Sequence, residues 1–321
     1  MTTKIDILAG LASHFATVED EMARALATDE PRVAELLAQL GGFHGKMLRP
    51  ALVLLVAQTL GEVSGDHLRL AAALEMIHTA TLIHDDMIDE GDTRRGMPTA
   101  HVRHGTAVAV LLGDYFYTHA FDLVARMDRT WVTTRLTGTT NVVCRGELQQ
   151  MCARRDLDLG EDEYERIIHA KTAALCELAG ELGAVAGTPA QRQAAAEYGR
   201  CCGMAFQIVD DCLDFSTDPE KVGKTLATDI ERGRLTLPII RALRRAGAGR
   251  DELGRQLLGV ANSNDVALIR KRIVELGGIA EALTAARAYV ARAKTSLGGL
   301  PAGDGRNRLA ELADFIVSRE F

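Results

Sequence analysis

The sequence predicts an all-α protein, and three observations lead to that prediction. Apolar residues recur with helical periodicity over long segments, convincing alternation of apolar and polar residues is missing, and only 7 prolines interrupt 321 residues. Hydrophobic residues make up 47% of the chain and charged residues 25%, as in ordinary globular proteins. Gly-rich stretches at 247–249 and 298–305 are predicted to be loops and not linkers, so we expect a single domain over residues 1–321.

Five long helices follow from the apolar periodicity. The first carries an apolar stripe from Leu68 to Ile83 and leads into an acidic cluster. The others are predicted, in chain order, over residues 106–123, 164–182, 190–214 and 265–276. Pro50, Pro98 and Pro219 lie near the expected helix boundaries, as the fixed φ of proline requires.

Composition excludes several classes of protein. The net charge of −7 argues against nucleic-acid binding, which needs a basic face. The 6 cysteines form no CxxC pair and no zinc-type spacing, so reduced thiols are expected. No export signal is visible at the start of the sequence. The apolar run at residues 51–57 is far shorter than the roughly 18 residues that span a bilayer. We therefore expect a cytoplasmic protein.

The motif DDxxD occurs twice, each time at the end of an apolar helical segment. The copies cover residues 85–89 and 210–214, and the sequences around them do not repeat. Positions i and i+4 of a helix share a face, so the first and last carboxylates of each motif point the same way. An all-oxygen ligand set without His or Cys suits a hard cation such as Mg²⁺. One copy would be equally well explained by a solvated acidic helix end, whereas two copies favour a site for metal and diphosphate.

Four basic clusters could hold an anion, and two of them follow an acidic motif. They are Lys46 with Arg49, Arg94 with Arg95, Lys171 with Thr172, and Lys224 with Arg234. Guanidinium groups bind phosphate oxygens bidentately, and lysine acts as a point charge. Any one cluster could be a solvated surface, and its position near the acidic motifs is what favours anion binding. A P-loop is excluded, because its first glycine is replaced by Asp218 and no strand precedes it.

Five segments together resemble the trans-polyprenyl diphosphate synthase family. They are GKMLRP at 45–50, LIHDDMIDEGDTRRG at 82–96, KTA at 171–173, FQIVDDCLD at 206–214 and GRLTLP at 233–238, in the family's order and approximate spacing. The resemblance implies the class I isoprenoid synthase fold, a helix bundle around a deep central cavity that both acidic motifs face. It also implies a homodimer, with at most peripheral membrane contact for product release.

Individual roles are carried over from this resemblance. It implies metal ligation by Asp85, Asp89, Asp210 and Asp214, with Asp86 and Asp211 completing the two catalytic clusters. It implies contacts to isopentenyl diphosphate from Lys46, Arg49, His78 and Arg95. It implies contacts to the allylic diphosphate from Arg94, Lys171, Thr172, Gln207 and Lys224, of which both lysines are also catalytic. Two positions depart from the family: Met47 replaces a basic residue, and Arg234, also expected to bind substrate, replaces the common lysine.

The activity implied is a Mg²⁺-dependent prenyltransferase that condenses isopentenyl diphosphate head to tail with an allylic diphosphate. About three magnesium ions are expected per active site. A class I terpene cyclase is an alternative, although cyclases usually carry a second motif of the Asn/Ser/Glu type. A non-catalytic subunit of a heteromeric synthase is another, although such subunits typically lose residues of the acidic motifs.

Product length is predicted from the residues before the first motif. Thr81 and Ala80 lie about one helical turn before Asp85. Short-chain members of the family carry large aromatic residues there, whereas both side chains here are small. The growing tail is therefore expected to pass them towards Ile77. We predict a long-chain synthase, heptaprenyl to decaprenyl, with octaprenyl as the single best prediction. A short-chain synthase making farnesyl or geranylgeranyl diphosphate is the alternative.

Overall fold

Helices form nearly all the regular structure of the computed structural model, which describes residues 8–40, 47–215, 228–260 and 263–318. The α-helices of the described residues are, in chain order, α1 (Ala12–Leu26), α2 (Pro31–Gln39), α3 (Leu48–Leu60), α4 (Gly65–Ile88), α5 (Ala100–His104), α6 (Thr106–Ala125), α7 (Thr130–Cys152), α8 (Glu161–Ile168), α9 (Ala174–Gly183), α10 (Pro189–Leu213), α11 (Thr228–Glu231), α12 (Leu237–Arg245), α13 (Arg250–Leu258), α14 (Ser263–Glu275), α15 (Gly278–Ser296) and α16 (Asp304–Val317). The all-α prediction is confirmed. Lys46 and Lys224, both predicted substrate contacts, lie outside the described residues.

Two compact units make up the structure. The first takes its described residues from Met1–Thr140, Leu178–Ala196 and Gly299–Leu309. The second takes them from Asn141–Glu177, Glu197–Gly298 and Ala310–Phe321. The single-domain assignment made from the sequence stays a prediction. No helix within the described ranges is both long enough and apolar enough to cross a membrane.

Helix α4 is the centre of the first unit, where it packs against α1, α3 and α6. Ser64 caps its N-terminus by a capping box with His67, which satisfies free backbone N–H groups of the first turn. Residues 70–77 are all buried, as expected for a helix that is apolar on every side. Glu75 is the one charged residue in that buried run. The helix therefore crosses the core over residues 70–77 and is partly exposed at several positions from His78 up to the first acidic motif.

A short hairpin follows α4, formed by β1 (Thr93–Arg94) and β2 (Met97–Pro98). The strands are antiparallel, and Arg94 pairs with Met97 across them. Arg95 (φ +52°) and Gly96 (φ +76°) form the connecting loop, and positive φ at both positions is the signature of a type I′ turn. The hairpin is too short to give an alternating sequence pattern, so it was not predicted.

In the second unit, a π-helical turn (His169–Ala173) joins α8 to α9. The sequence predicted helix here without this turn. Two glycines allow neighbouring helices to approach it closely. A Cβ at Gly146 of α7 would lie 2.8 Å from the Lys171 backbone nitrogen, and one at Gly203 of α10 would lie 2.6 Å from the Ala173 Cα. The π turn therefore lies where neighbouring helices approach Lys171 and Thr172 closely, and such turns often occur at functional sites.

Candidate active site

The first acidic motif occupies the end of α4. Asp89 is the residue directly after the helix, and its N–H donates to the Asp85 carbonyl at 2.8 Å. Asp85, Asp86 and Asp89 are all partly exposed, whereas Ile83, just before them, is buried. The three carboxylates thus lie where the helix leaves the apolar core.

Arg94 on the hairpin binds Asp86. Its Nε donates to both carboxylate oxygens at 2.8 and 2.7 Å, and its Nη2 lies 2.7 Å from Oδ1. Bidentate arginine–carboxylate pairs fix geometry as well as charge. The hairpin therefore holds a predicted diphosphate contact against the middle of the first motif.

His78 lies among three arginines in the first unit. Burial lowers the pKa of His78 well below its usual value, and the charges of Arg49, Arg94 and Arg95 lower it further. Both effects favour the neutral imidazole, so His78 adds no positive charge to the three arginines. Three of the four predicted contacts to isopentenyl diphosphate come together here, and the fourth, Lys46, lies outside the described residues.

Glu75 belongs to the same cluster, and sequence reasoning gave it no role. It is 3% exposed, and its Oε2 is buried without a hydrogen-bond partner. Burial raises the pKa of Glu75, while the charges of Arg49 and Arg95 oppose the rise. The signal available in the sequence was a single acid in a run of apolar residues, three positions before His78.

Backbone strain marks two positions beside these arginines. Met47, just before α3, has φ +50°, and Arg95 has φ +52°. Non-glycine residues rarely adopt this conformation, which costs on the order of 1 kcal/mol or more. Such strain persists where the surroundings enforce it, and it is frequent at ligand sites.

The second acidic motif ends α10 in the second unit. The Asp214 N–H donates to the Asp210 carbonyl at 3.3 Å, so the helical arrangement continues to the end of the motif. The Asp214 Oδ2 accepts the Asp229 N–H at 3.0 Å. Asp229 in turn lies 3.7 Å from Arg234, a predicted substrate contact, measured from Oδ1 to Nη1. Asp210 and Asp214 are both partly exposed.

Asp211 differs from the other aspartates of the motif, Asp210 and Asp214, because it is buried and only 5% exposed. Its Oδ2 accepts the Tyr164 hydroxyl at 2.6 Å, and its Oδ1 accepts Gln207 Nε2 at 2.7 Å. The Gln207 Oε1 accepts the Thr172 hydroxyl at 2.7 Å. Burial raises the pKa of Asp211 well above its usual value, and the charge of Asp229 adds to the rise, while the bonds from Tyr164 and Gln207 oppose it. Thr172, Gln207 and Asp211, all predicted site residues, are therefore brought together. Tyr164 was missed because no local pattern marks it.

Lys171 projects from the π turn onto α7. Its Nζ donates to Glu147 Oε2 at 2.6 Å and to Gln150 Oε1 at 3.0 Å. Neither partner was predicted. They orient the ammonium group next to Thr172, where the chain of bonds to Asp211 begins.

The predicted chain-length residues differ in exposure. Ile77 and Ala80 are both 0% exposed, whereas Thr81 is partly exposed. The Thr81 hydroxyl donates to the His78 carbonyl at 2.7 Å, within its own helix. Of these three positions, Thr81 is the one with a surface that a bound molecule can contact directly.

The donor set of both motifs fits a hard cation. Within the described ranges, no three His, Cys, Asp or Glu side chains converge to hold a metal ion alone. Mg²⁺ commonly takes one or two carboxylates and completes its shell with water and substrate phosphate. Partly exposed carboxylates spaced four residues apart, as at Asp85 and Asp89 or Asp210 and Asp214, match that requirement.

A family profile described as polyprenyl synthetase matches residues 30–276. The chain belongs to the polyprenyl synthetase family. The match includes every predicted site residue, and the family resemblance stated from the motifs is confirmed.

Full-length relatives agree with this assignment. The octaprenyl diphosphate synthase of Haemophilus influenzae is 34% identical over 307 residues, which cover 95% of this chain and 93% of that protein. The short chain isoprenyl diphosphate synthase of Methanothermobacter thermautotrophicus is 39% identical over 298 residues, which cover 90% of each. The solved structure of a polyprenyl synthase from Caulobacter crescentus, complexed with calcium and isoprenyl diphosphate, superposes with a TM-score of 0.93 at 34% identity and covers 99% of this chain and 98% of that one.

The chain thus has the class I isoprenoid synthase fold and is a trans-prenyltransferase that makes prenyl diphosphates. Its family substrates are isopentenyl diphosphate and an allylic diphosphate. The relatives include both long-chain and short-chain enzymes, so they leave the product length open.

Proposed function

We propose that this chain is a Mg²⁺-dependent, long-chain polyprenyl diphosphate synthase whose main product is octaprenyl diphosphate. The observation that carries the proposal is the arrangement around the first motif. His78 and three arginines lie close to one another beside the paired carboxylates, and Thr81, one turn before Asp85, has a small side chain. The octaprenyl diphosphate synthase named above supports the same product.

Asp85, Asp89, Asp210 and Asp214 would hold the metal, and about three ions fit the proposal. When bound, Mg²⁺ neutralises the charge that develops on a diphosphate as its C–O bond breaks. The Caulobacter polyprenyl synthase was solved with calcium and isoprenyl diphosphate bound together, which is consistent with a divalent cation acting on a diphosphate here.

Separate sets of residues bind the two substrates. Arg49, His78 and Arg95 bind isopentenyl diphosphate together with Lys46. Arg94, Lys171, Thr172 and Gln207 bind and orient the allylic diphosphate together with Lys224, with Arg234 nearby in sequence. Charge-assisted bonds stabilise the departing diphosphate, which also accepts the released proton, since no Glu–His type base stands out in the sequence. The apolar residues before Asp85 exclude the water that would quench an allylic cation.

A short-chain synthase is the second candidate, because the Methanothermobacter relative is 39% identical and is named as a short-chain enzyme. The test is condensation by the purified chain of isopentenyl diphosphate with geranyl or farnesyl diphosphate, followed by chromatography of the dephosphorylated products. We expect octaprenol with Mg²⁺ and no product with EDTA. Geranylgeraniol as the longest product would favour the second candidate, and full activity in EDTA would contradict metal dependence.

Assembly is proposed on the family resemblance, and location on the sequence features described above. We expect a homodimer in the cytoplasm, with at most peripheral membrane contact when the apolar product leaves. Sedimentation of the purified chain tests the dimer, and flotation with phospholipid vesicles in the presence and absence of product tests the membrane contact.

A further inference from the structure

The middle aspartate of the second motif is placed differently from the aspartates on either side of it. Successive residues of a helix are rotated by about 100°, so Asp211 cannot face the same way as Asp210 and Asp214. Asp211 is 5% exposed, whereas Asp210 and Asp214 are partly exposed. A carboxylate in this position needs hydrogen bonds from the protein to offset the loss of water.

Both carboxylate oxygens of Asp211 accept hydrogen bonds from neutral side chains. The Tyr164 hydroxyl lies 2.6 Å from Oδ2, and Gln207 Nε2 lies 2.7 Å from Oδ1. Tyr164 is itself only 3% exposed, so its hydroxyl would be left buried and unpaired without Asp211. With both oxygens bonded and the side chain 5% exposed, Asp211 has little surface that a metal ion can reach.

The hydrogen bonds continue from Asp211 into the π turn. Gln207 Oε1 accepts the Thr172 hydroxyl at 2.7 Å, so four side chains from α8, the π turn and α10 form one connected chain. Gln207 lies one helical turn before Asp211, and its amide is oriented by bonds at both ends. The rotation of the last turn of α10 is thereby fixed relative to α8.

We propose that Asp211 is a positioning residue and that Tyr164 is its anchor. Together they fix the end of α10 so that the carboxylates of Asp210 and Asp214 are presented to a divalent cation and a diphosphate. Asp211 does not itself bind the ion. This inference rests on the proposed function, because it assigns different roles to the aspartates of that same metal and diphosphate site.

Tyr164→Phe tests the anchor, because it removes one hydroxyl and keeps the ring. Tyr198→Phe is the matched control, since Tyr198 is another fully buried tyrosine, on α10 itself, outside the acidic motif. The readout is calorimetric binding of inorganic pyrophosphate as Mg²⁺ is varied, which needs no turnover. We expect Tyr164→Phe to raise the Mg²⁺ requirement roughly tenfold to a hundredfold, the usual effect of losing an outer partner of a ligand. Tyr198→Phe should leave the Mg²⁺ requirement unchanged. The KM for isopentenyl diphosphate should stay within about twofold of wild type in both tyrosine variants.

Asp211→Asn and Asp210→Asn test the positioning role and remain decisive if Tyr164→Phe does not fold. Asp210→Asn should abolish Mg²⁺-dependent pyrophosphate binding. Asp211→Asn should weaken it no more than roughly a hundredfold, because the ion's own ligands remain. The proposal is overturned if Asp211→Asn is as severe as Asp210→Asn, or if a folded Tyr164→Phe matches wild type. A wild-type chain that makes no prenyl product would instead defeat the proposed function.

Discussion

Among single side chains, Glu75 lies in an unfavourable environment for a charged group. It combines deep burial, an oxygen without a partner and the nearby charges of Arg49 and Arg95. Burial dominates and raises its pKa, so the folded chain binds this proton more tightly than the unfolded chain does. The stability that Glu75 contributes is therefore greatest below its unfolded pKa and is lost as the pH rises through the folded pKa.

Glu75→Gln should remove that pH dependence, because an amide of the same shape does not titrate. The Tm of the variant relative to wild type is expected to rise as the pH increases from about 5 to about 8. Thermal unfolding followed by circular dichroism at several pH values measures the difference. The same change at exposed Glu62 controls for the general effect of removing an acid. A difference that is constant with pH would contradict the assignment.

Thr81→Phe should shorten the product to farnesyl or geranylgeranyl diphosphate. Thr81 is partly exposed, so a ring there can extend from the helix and block the growing tail. Ala80 is 0% exposed, and Ala80→Phe is expected to cost about 1–3 kcal/mol of stability through overpacking as well. Chromatography of the products measures chain length, and Thr81→Val, which keeps the size, is the control. An unchanged product distribution from Thr81→Phe would show that another residue limits length.

Among elements, the π turn depends on a glycine in α7. A Cβ at Gly146 would lie 2.7 Å from the Ala170 Cβ and 2.8 Å from the Lys171 nitrogen, so the turn that carries Lys171 and Thr172 would have to move. Gly146→Ala is therefore expected to lower the free energy of unfolding by about 1–3 kcal/mol. It should also raise the KM for the allylic substrate.

The matched control is Gly138→Ala on the same helix, where a Cβ meets nothing within 4 Å. Alanine is preferred to glycine inside a helix by up to about 1 kcal/mol, so this variant should be slightly more stable. Chemical denaturation and steady-state kinetics measure both variants. If they behave alike, α7 does not determine the position of the turn.

Local sequence patterns predicted some features of these elements and not others. The long helices followed from periodicity, and the metal-binding candidates followed from two copies of one motif. The bond between Tyr164 and Asp211 joins residues that are 47 positions apart, and no local pattern records such a contact. The π turn depends on where Gly146 and Gly203 meet it, which is a property of packing. The hairpin is set by two residues at positive φ, of which only Gly96 is a usual choice.

For the whole molecule, the family resemblance implies that both acidic motifs act on one diphosphate. Asp85→Asn and Asp210→Asn should each lower turnover by roughly a hundredfold or more, because each removes a ligand worth several kcal/mol of charge stabilisation. The double variant should lose less than the product of the two effects, since residues that act as a unit are not additive. Turnover at saturating substrates measures this, with helix content checked by circular dichroism. Fully multiplied losses would mean that the motifs act independently.

The type I′ turn of the hairpin has a consequence for engineering this enzyme. Asn or Gly is the usual first residue of such a turn, and the chain has Arg95 there at φ +52°. A library selected only for thermal resistance would favour replacing Arg95, because relief of backbone strain is a common route to stability. The same replacement removes one of the three charges around His78. Stability and substrate affinity are thus opposed at this one residue, and it should be held fixed in any such selection.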